Sequence, residues 1–101
     1  MFGRRRFRDV VARQLDLFEA EHAGLIDDVE AALRAYDSAP REEAEERYGD
    51  FVDLVDTGRE ELEALRDAYA RTLDEDAAEE YRDAFNHTAR RRLPRFTLEL
   101  D

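Results

Sequence analysis

The stretch between residues 40 and 73 constrains the fold more than any other, because its apolar residues recur with alternating steps of four and three. The positions on this seam are Ala44, Tyr48, Phe51, Val55, Gly58, Leu62, Leu65, Tyr69 and Thr72. A sustained step of this kind is typical of an α-helix that packs one stripe against another helix. Most of the other positions are charged, so the sequence predicts a helix over residues 40–73 with one apolar face.

The preceding segment carries a second seam with the same spacing and predicts a helix over residues 8–37. Its seam residues are Val11, Leu15, Phe18, His22, Leu25, Val29, Ala32 and Tyr36. Between the two helices, Asp37 or Ser38 can cap the second helix, and Pro40 suits its first turn. Because the connection is short, the two helices are expected to form an antiparallel, coiled-coil-like hairpin.

Folding the chain about residue 40 brings the two seams into register over eight layers. In this register Phe18 faces Leu62, and the ring of His22 faces Gly58. The register therefore predicts that the glycine makes room for the histidine ring.

A third helix is predicted over residues 75–92, where Asp74 is a good N-cap and Pro94 ends the helix. A continuous helix through residues 73–76 is the alternative, since nothing in that segment forbids it. These elements predict an all-α fold, in which a long antiparallel hairpin carries a shorter third helix. The length of 101 residues is that of a single domain, residues 1–101.

The tail after Pro94 alternates Phe96, Leu98 and Leu100 with polar residues, which is the periodicity of a strand. The sequence offers no second strand to pair with it. The tail is therefore expected to extend over the helices of its own chain or, alternatively, to dock on another molecule.

Composition limits the kinds of site that the chain can form. The sequence has no cysteine, so neither a disulfide nor a thiolate metal site is available. No apolar run approaches the ~20 residues that a membrane-spanning helix needs, and a cytoplasmic location is expected. All sixteen basic residues are arginine, which is typical of a high-GC genome or of a salt-adapted proteome.

Charge is distributed unevenly along the chain, whose formal net charge is −11. Residues 1–13 hold five arginines and one acid, and residues 82–101 hold five arginines and three acids. Residues 14–81 between them hold six arginines and twenty-three acids. This acidic middle makes general binding to nucleic acid unfavourable.

The basic N-terminus is a candidate binding segment that combines arginines with aromatic residues. Its residues are Phe2, Arg4, Arg5, Arg6, Phe7 and Arg8. Such a segment can contact the phosphates of nucleic acid or an anionic membrane surface. Pairing of these arginines with acids of the same chain or of a second copy is the alternative.

Glu19 and His22 form the one Glu-x-x-His pair whose spacing suits a di-iron carboxylate site, because residues three apart share a helical face. The register places Glu61 near Glu19 as a further ligand, and a second copy of the chain could supply the remaining ligands. The competing interpretation is that His22 packs in the seam. His22 occupies a seam position, which favours packing over metal binding.

Several blocks of the sequence resemble a group of short actinobacterial helical proteins to which no function is assigned. The blocks are Met1–Arg4, Glu46–Asp50, Arg71–Asp76, Tyr81, Ala84–Asn86, Arg92–Pro94 and Leu98–Leu100. The resemblance favours a high-GC source as the explanation for the arginine bias. It implies no activity, cofactor or site residue.

The sequence thus predicts a non-enzymatic helical interaction or scaffold module that self-associates and holds no cofactor. A helix of 34 residues is about 50 Å long, so the hairpin should extend beyond the part that the third helix covers. Apolar residues beside the seam would then be left for a second copy to bury. These are Leu17, Ile26, Leu33, Val52 and Leu54.

Overall fold

A computed structural model describes residues 6–97, and within this range the chain forms helices and turns but no strand. The described α-helices are α1 (Arg8–Glu21), α2 (Ala23–Asp37), α3 (Ala44–Ala70) and α4 (Glu75–Arg92). Two 3-10 turns, Arg41–Glu43 and Pro94–Phe96, precede α3 and follow α4. The all-α fold class is confirmed, in an elongated molecule that measures 51 × 22 × 21 Å.

The predicted helix over residues 8–37 is in fact two helices separated at His22. The backbone of His22 leaves the helical region, with φ −117° and ψ 27°. Helical hydrogen bonds continue on both sides, because the His22 N–H donates to the Phe18 carbonyl at 2.9 Å and the Ile26 N–H donates to the His22 carbonyl at 3.0 Å. The break falls where the packing partner changes, since α1 packs mainly against α4 and α2 packs against α3.

A side-chain cap fixes where α4 begins, whereas α3 lacks the predicted cap and begins at Ala44 instead of residue 40. The Asp74 carboxylate accepts a hydrogen bond from the Ala77 N–H at 2.9 Å, so the predicted N-cap is confirmed and the continuous-helix alternative is wrong. The 3-10 turn before α3 has no side-chain cap. Ser38 instead closes α2, because its hydroxyl donates to the Arg34 carbonyl at 2.9 Å.

The core lies where α1, α3 and α4 meet, and we call this part of the molecule the base. Side chains from all three helices are fully buried there, including Leu15, Leu62, Tyr81 and Phe85. We call residues 23–57 the upper half, which contains α2 and the first half of α3. Within the upper half only Val29 is buried, so α2 and α3 leave much of their apolar surface partly exposed.

Polar side chains in the base pair with one another across the helices. The buried Arg66 donates to the Asn86 side-chain oxygen at 3.0 Å and to the Asp67 carboxylate at 2.8 Å. The hydrogen bond from Arg66 lowers the pKa of Asp67 below its ordinary value. The Tyr81 hydroxyl donates to the Gln14 amide oxygen at 2.7 Å, and burial raises the pKa of the phenol. These bonds link α4 to both α1 and α3.

Candidate functional site

An apolar groove runs along the upper half between α2 and α3. Ile26 and Val29 line it from α2, and Phe51, Val52 and Val55 line it from α3. Its volume is about 690 Å³. All of these residues except Val29 are only partly buried, so the walls of the groove reach solvent.

The C-terminal turn closes the end of the groove that faces the base. Phe96 is 3% exposed, and its ring centroid lies 6.3 Å from that of Phe18. A Cβ atom built on Gly58 would overlap the Phe96 ring. The predicted contact between His22 and Gly58 is therefore wrong, because Phe96 fills the space beside the glycine while the His22 ring lies against Phe18, with 4.6 Å between ring centroids.

Ion pairs tie this closing turn and the end of α4 to the first two helices. Arg95 donates to the Glu30 carboxylate on α2 at 2.6 Å. Arg92 donates to Asp16 at 2.7 Å and to Glu19 at 3.0 Å, both on α1. The hydrogen bond to Asp16 is the main reason why the pKa of Arg92 is raised. The turn is therefore held in place by charged contacts on one side and by the buried Phe96 ring on the other.

The groove begins where α4 ends. In the base, α4 packs against α3 and α1 and supplies the third helix. Beyond Phe96 the paired helices α2 and α3 continue, and within residues 6–97 no further element covers them. Tyr48, which is 50% exposed, stands at the far end of the groove. The distance along α3 from Tyr48 to Arg59, which flanks the closed end, is about 16 Å at 1.5 Å per residue.

The upper half, which holds the groove, is strongly acidic. The upper half contains eleven acidic residues and three arginines, a formal net charge of −8. At the closed end the rim arginines already have carboxylate partners: Arg95 pairs with Glu30, and Arg59 lies 2.9 Å from Asp56. The described chain thus combines an apolar groove with a strongly acidic upper half.

Two of the five predicted apolar interaction residues line this groove, namely Ile26 and Val52. Leu33 is partly buried further along α2, and Leu54 is partly buried and packs against the core. Leu17 lies on α1 outside the groove and is 60% exposed. The five residues therefore do not form one continuous surface.

The basic N-terminal segment lies at the base, away from the groove. Arg4 and Arg5 lie outside the described residues. Arg6 pairs with Glu80 of α4 at 3.3 Å and also lies over the ring of Phe7, and Arg8 is exposed. The described part of the segment thus contacts an acid of its own chain.

The predicted metal candidates are not brought together as a ligand set. Within residues 6–97, no three or more histidine or carboxylate side chains are arranged to hold a metal ion. Glu19 accepts a hydrogen bond from Arg92, and the His22 ring lies against Phe18. Glu61 is exposed on α3.

Sequence reasoning missed the closing turn, which defines the closed end of the groove. The alternation of Phe96, Leu98 and Leu100 predicted an extended tail, whereas Pro94–Phe96 forms a 3-10 turn. Phe96 and Thr97 are buried, so this part of the tail packs on the helices of its own chain. Leu98 and Leu100 lie outside the described residues. The signal that was available is Pro94, which begins turns as readily as it ends helices.

Comparisons of this chain with protein-family models, with curated proteins and with solved structures find no match. The resemblance to short actinobacterial proteins therefore stays a prediction. Among the described helices, none combines the length and the apolar character that crossing a membrane requires.

Proposed function

We propose that this chain is a non-enzymatic helical interaction module and that its groove between α2 and α3 binds a helix of another polypeptide. One observation carries the proposal: α4 packs against α1 and α3 in the base, whereas in the upper half no element of residues 6–97 covers the groove between α2 and α3. Binding of an apolar helix face in a groove between helices is a recurring mode of peptide recognition.

The groove offers enough apolar surface for such binding. Fully burying one Val, Leu, Ile or Phe side chain contributes about 1.5–3 kcal/mol. Phe51, Val52, Val55 and Ile26 are already partly buried, so each would contribute less than this amount. Four such residues on one surface, together with the apolar face of the incoming helix, favour association.

A second copy of the chain is one source of the incoming helix, and self-association is the form of the proposal that the sequence favours. Two copies would pair as hairpins in a coiled-coil-like bundle, with groove facing groove. Because each upper half carries a formal charge of −8, this pairing should strengthen as salt screens the repulsion.

Light scattering during size-exclusion chromatography tests this proposal. We expect the mass at tens of micromolar protein to rise above 11.8 kDa as sodium chloride is increased from about 0.05 M to about 0.5 M. Val52→Arg places a cation in the groove and should keep the protein monomeric. Leu17→Arg makes the same change of charge on an exposed residue outside the groove and should leave self-association unchanged. A monomer at every salt concentration would contradict self-association.

The two alternative functions gain less support from the described contacts. In a carboxylate–histidine metal site between protomers, Glu19 would have to give up the hydrogen bond that it accepts from Arg92. Metal analysis of the purified protein, with and without His22→Gln, tests that alternative. Binding to nucleic acid or to anionic vesicles through the N-terminus would have to compete with the contact between Arg6 and Glu80.

A further inference from the structure

The upper half, which holds the groove, carries a formal net charge of −8, and this limits which helix can occupy the groove. The upper half contains eleven acidic residues and three arginines. Three further arginines, Arg59, Arg92 and Arg95, line the closed end of the groove, and each of them contacts a carboxylate of its own chain. Opposite charges across an interface accelerate association and favour the correct partner, whereas like charges brought together oppose it. A helix whose flanks carry acids would therefore meet the net negative charge of the upper half.

The length and the lining of the groove define the rest of the partner. About 16 Å of groove corresponds to three turns of α-helix. Phe51 and Val55 are one turn apart on α3, and Val29 faces the groove from α2. A partner helix would therefore present an apolar stripe with spacings of three and four residues.

From these two properties we infer that the groove binds a cationic amphipathic helix, in which an apolar stripe about three turns long is flanked by lysine or arginine. This inference rests on the proposed function and names the chemistry of the partner. A second copy fits the groove less well at low salt, because its own upper half also carries a formal charge of −8. The heterologous helix is thus the preferred occupant where electrostatic screening is weak.

Synthetic peptides labelled with a fluorophore test the inference by fluorescence anisotropy on the full chain. The probe is a helical peptide of about five turns with leucines at i, i+3, i+4 and i+7 and lysines at the flanking positions. One control peptide keeps the leucines and replaces every lysine by glutamate. A second control has the composition of the probe in scrambled order, which destroys the apolar stripe but keeps the charge.

We expect the lysine peptide to bind at least tenfold more tightly than either control and to weaken as sodium chloride is added. Val52→Arg should reduce this affinity at least tenfold, whereas Leu17→Arg should change it less than twofold. Val52 suits this test because it lines the groove but is not among the hydrophobic residues that pack against the core, and circular dichroism checks the fold of both variants.

Three results would overturn the inference. Equal binding of the scrambled peptide would show attraction by charge alone, and equal binding of the glutamate peptide would show that charge does not select the partner. Tenfold tighter binding by a chain truncated after Thr97 would assign the groove to residues 98–101 of the chain itself. If no peptide binds but Val52→Arg abolishes self-association, the inference fails and the proposed function stands. If Val52→Arg changes neither self-association nor peptide binding, the inference and the proposed function both fail.

Discussion

The ring of Phe96 occupies the space that a side chain at position 58 would need. Gly58 lies in the middle of α3 and is buried, and a Cβ atom there would overlap three atoms of the ring. Phe96 is itself 3% exposed and lies against Phe18, so the ring has little room to move aside. The glycine therefore allows the C-terminal turn to pack against α3 and to close the groove.

Gly58→Ala should destabilise the protein because of this contact. Replacing a helical glycine by alanine gains about 0.5–1 kcal/mol in helix propensity, but overpacking a core typically costs about 1–3 kcal/mol. We expect a net loss in the free energy of unfolding, measured by urea denaturation. Gly49→Ala in the same helix is the matched control, since nothing lies within 4 Å of its added Cβ, and it should stabilise the protein.

A double-mutant cycle identifies the residue that Gly58→Ala displaces. Phe96→Leu removes part of the ring, so the loss caused by Gly58→Ala should be smaller in that background. His22→Ala should leave the loss unchanged, because the atoms nearest to a Cβ at position 58 belong to Phe96, whereas the His22 ring lies against Phe18. Rescue by His22→Ala instead of Phe96→Leu would contradict the observed packing.

Asp74→Ala should lower the free energy of unfolding by about 1 kcal/mol, which is typical for loss of an N-cap. The Asp74 carboxylate accepts from the Ala77 N–H, and this amide would be left without its acceptor. Ser38→Ala is the control, because the Ser38 hydroxyl donates to a carbonyl at the end of α2 and caps no helix N-terminus. Equal effects of the two substitutions would argue against the capping role of Asp74.

Asn86→Ala should destabilise the base, because the buried Arg66 loses a hydrogen-bond acceptor. Leaving a buried polar partner unsatisfied costs about 1–3 kcal/mol. His87→Ala, at the exposed neighbouring position, should have little effect on chemical denaturation. Combining Asn86→Leu with Arg66→Met should cost less than the sum of the two single changes, since both polar partners are then removed together.

Asp67 should make stability depend on pH in the acid range. Its pKa is lowered in the folded protein by Arg66, so the unfolded state binds the proton more readily. The ionised Asp67 therefore adds to the free energy of unfolding above the ordinary aspartate pKa of about 4. This contribution disappears as the pH falls through the lower pKa of the folded state. The difference in unfolding free energy between wild type and Asp67→Asn should be constant above about pH 5 and should shrink as the pH falls below about 4. Asp67 is 38% exposed, so the effect should be modest; Ser38→Ala, which removes no titratable group, should show no such trend.

Added sodium chloride should raise the melting temperature, because repulsion dominates in the acidic upper half. Exposed acids lie close together in sequence at Glu42, Glu45 and Glu46 in the upper half, and at Glu60 and Glu61 just beyond it. Screening becomes strong once the Debye length falls to about 10 Å, near 0.1 M salt. In the variant Glu45→Gln/Glu46→Gln, the same salt should raise the melting temperature by a smaller amount. A flat or falling melting temperature in wild type would contradict this expectation.

The sequence by itself determined the all-α class and the start of the last helix, because the signals for them are local. The spacing of apolar residues predicted the all-α class, and Asp74 predicted the start of α4 at Glu75. The lengths of the predicted helices also indicated that apolar residues such as Ile26 and Val52 would lack cover. Both residues line the groove.

Only the tertiary structure decided which helix packs against which, and where the groove is closed. The register of the two seams predicts that α1 packs against α3, yet α1 packs mainly against α4. Burial of apolar surface is not directional, so one stripe can satisfy several neighbours and its sequence does not name the partner. The position of Phe96 beside Gly58 depends on a turn that brings residues 38 positions apart into contact, and no local pattern encodes that contact.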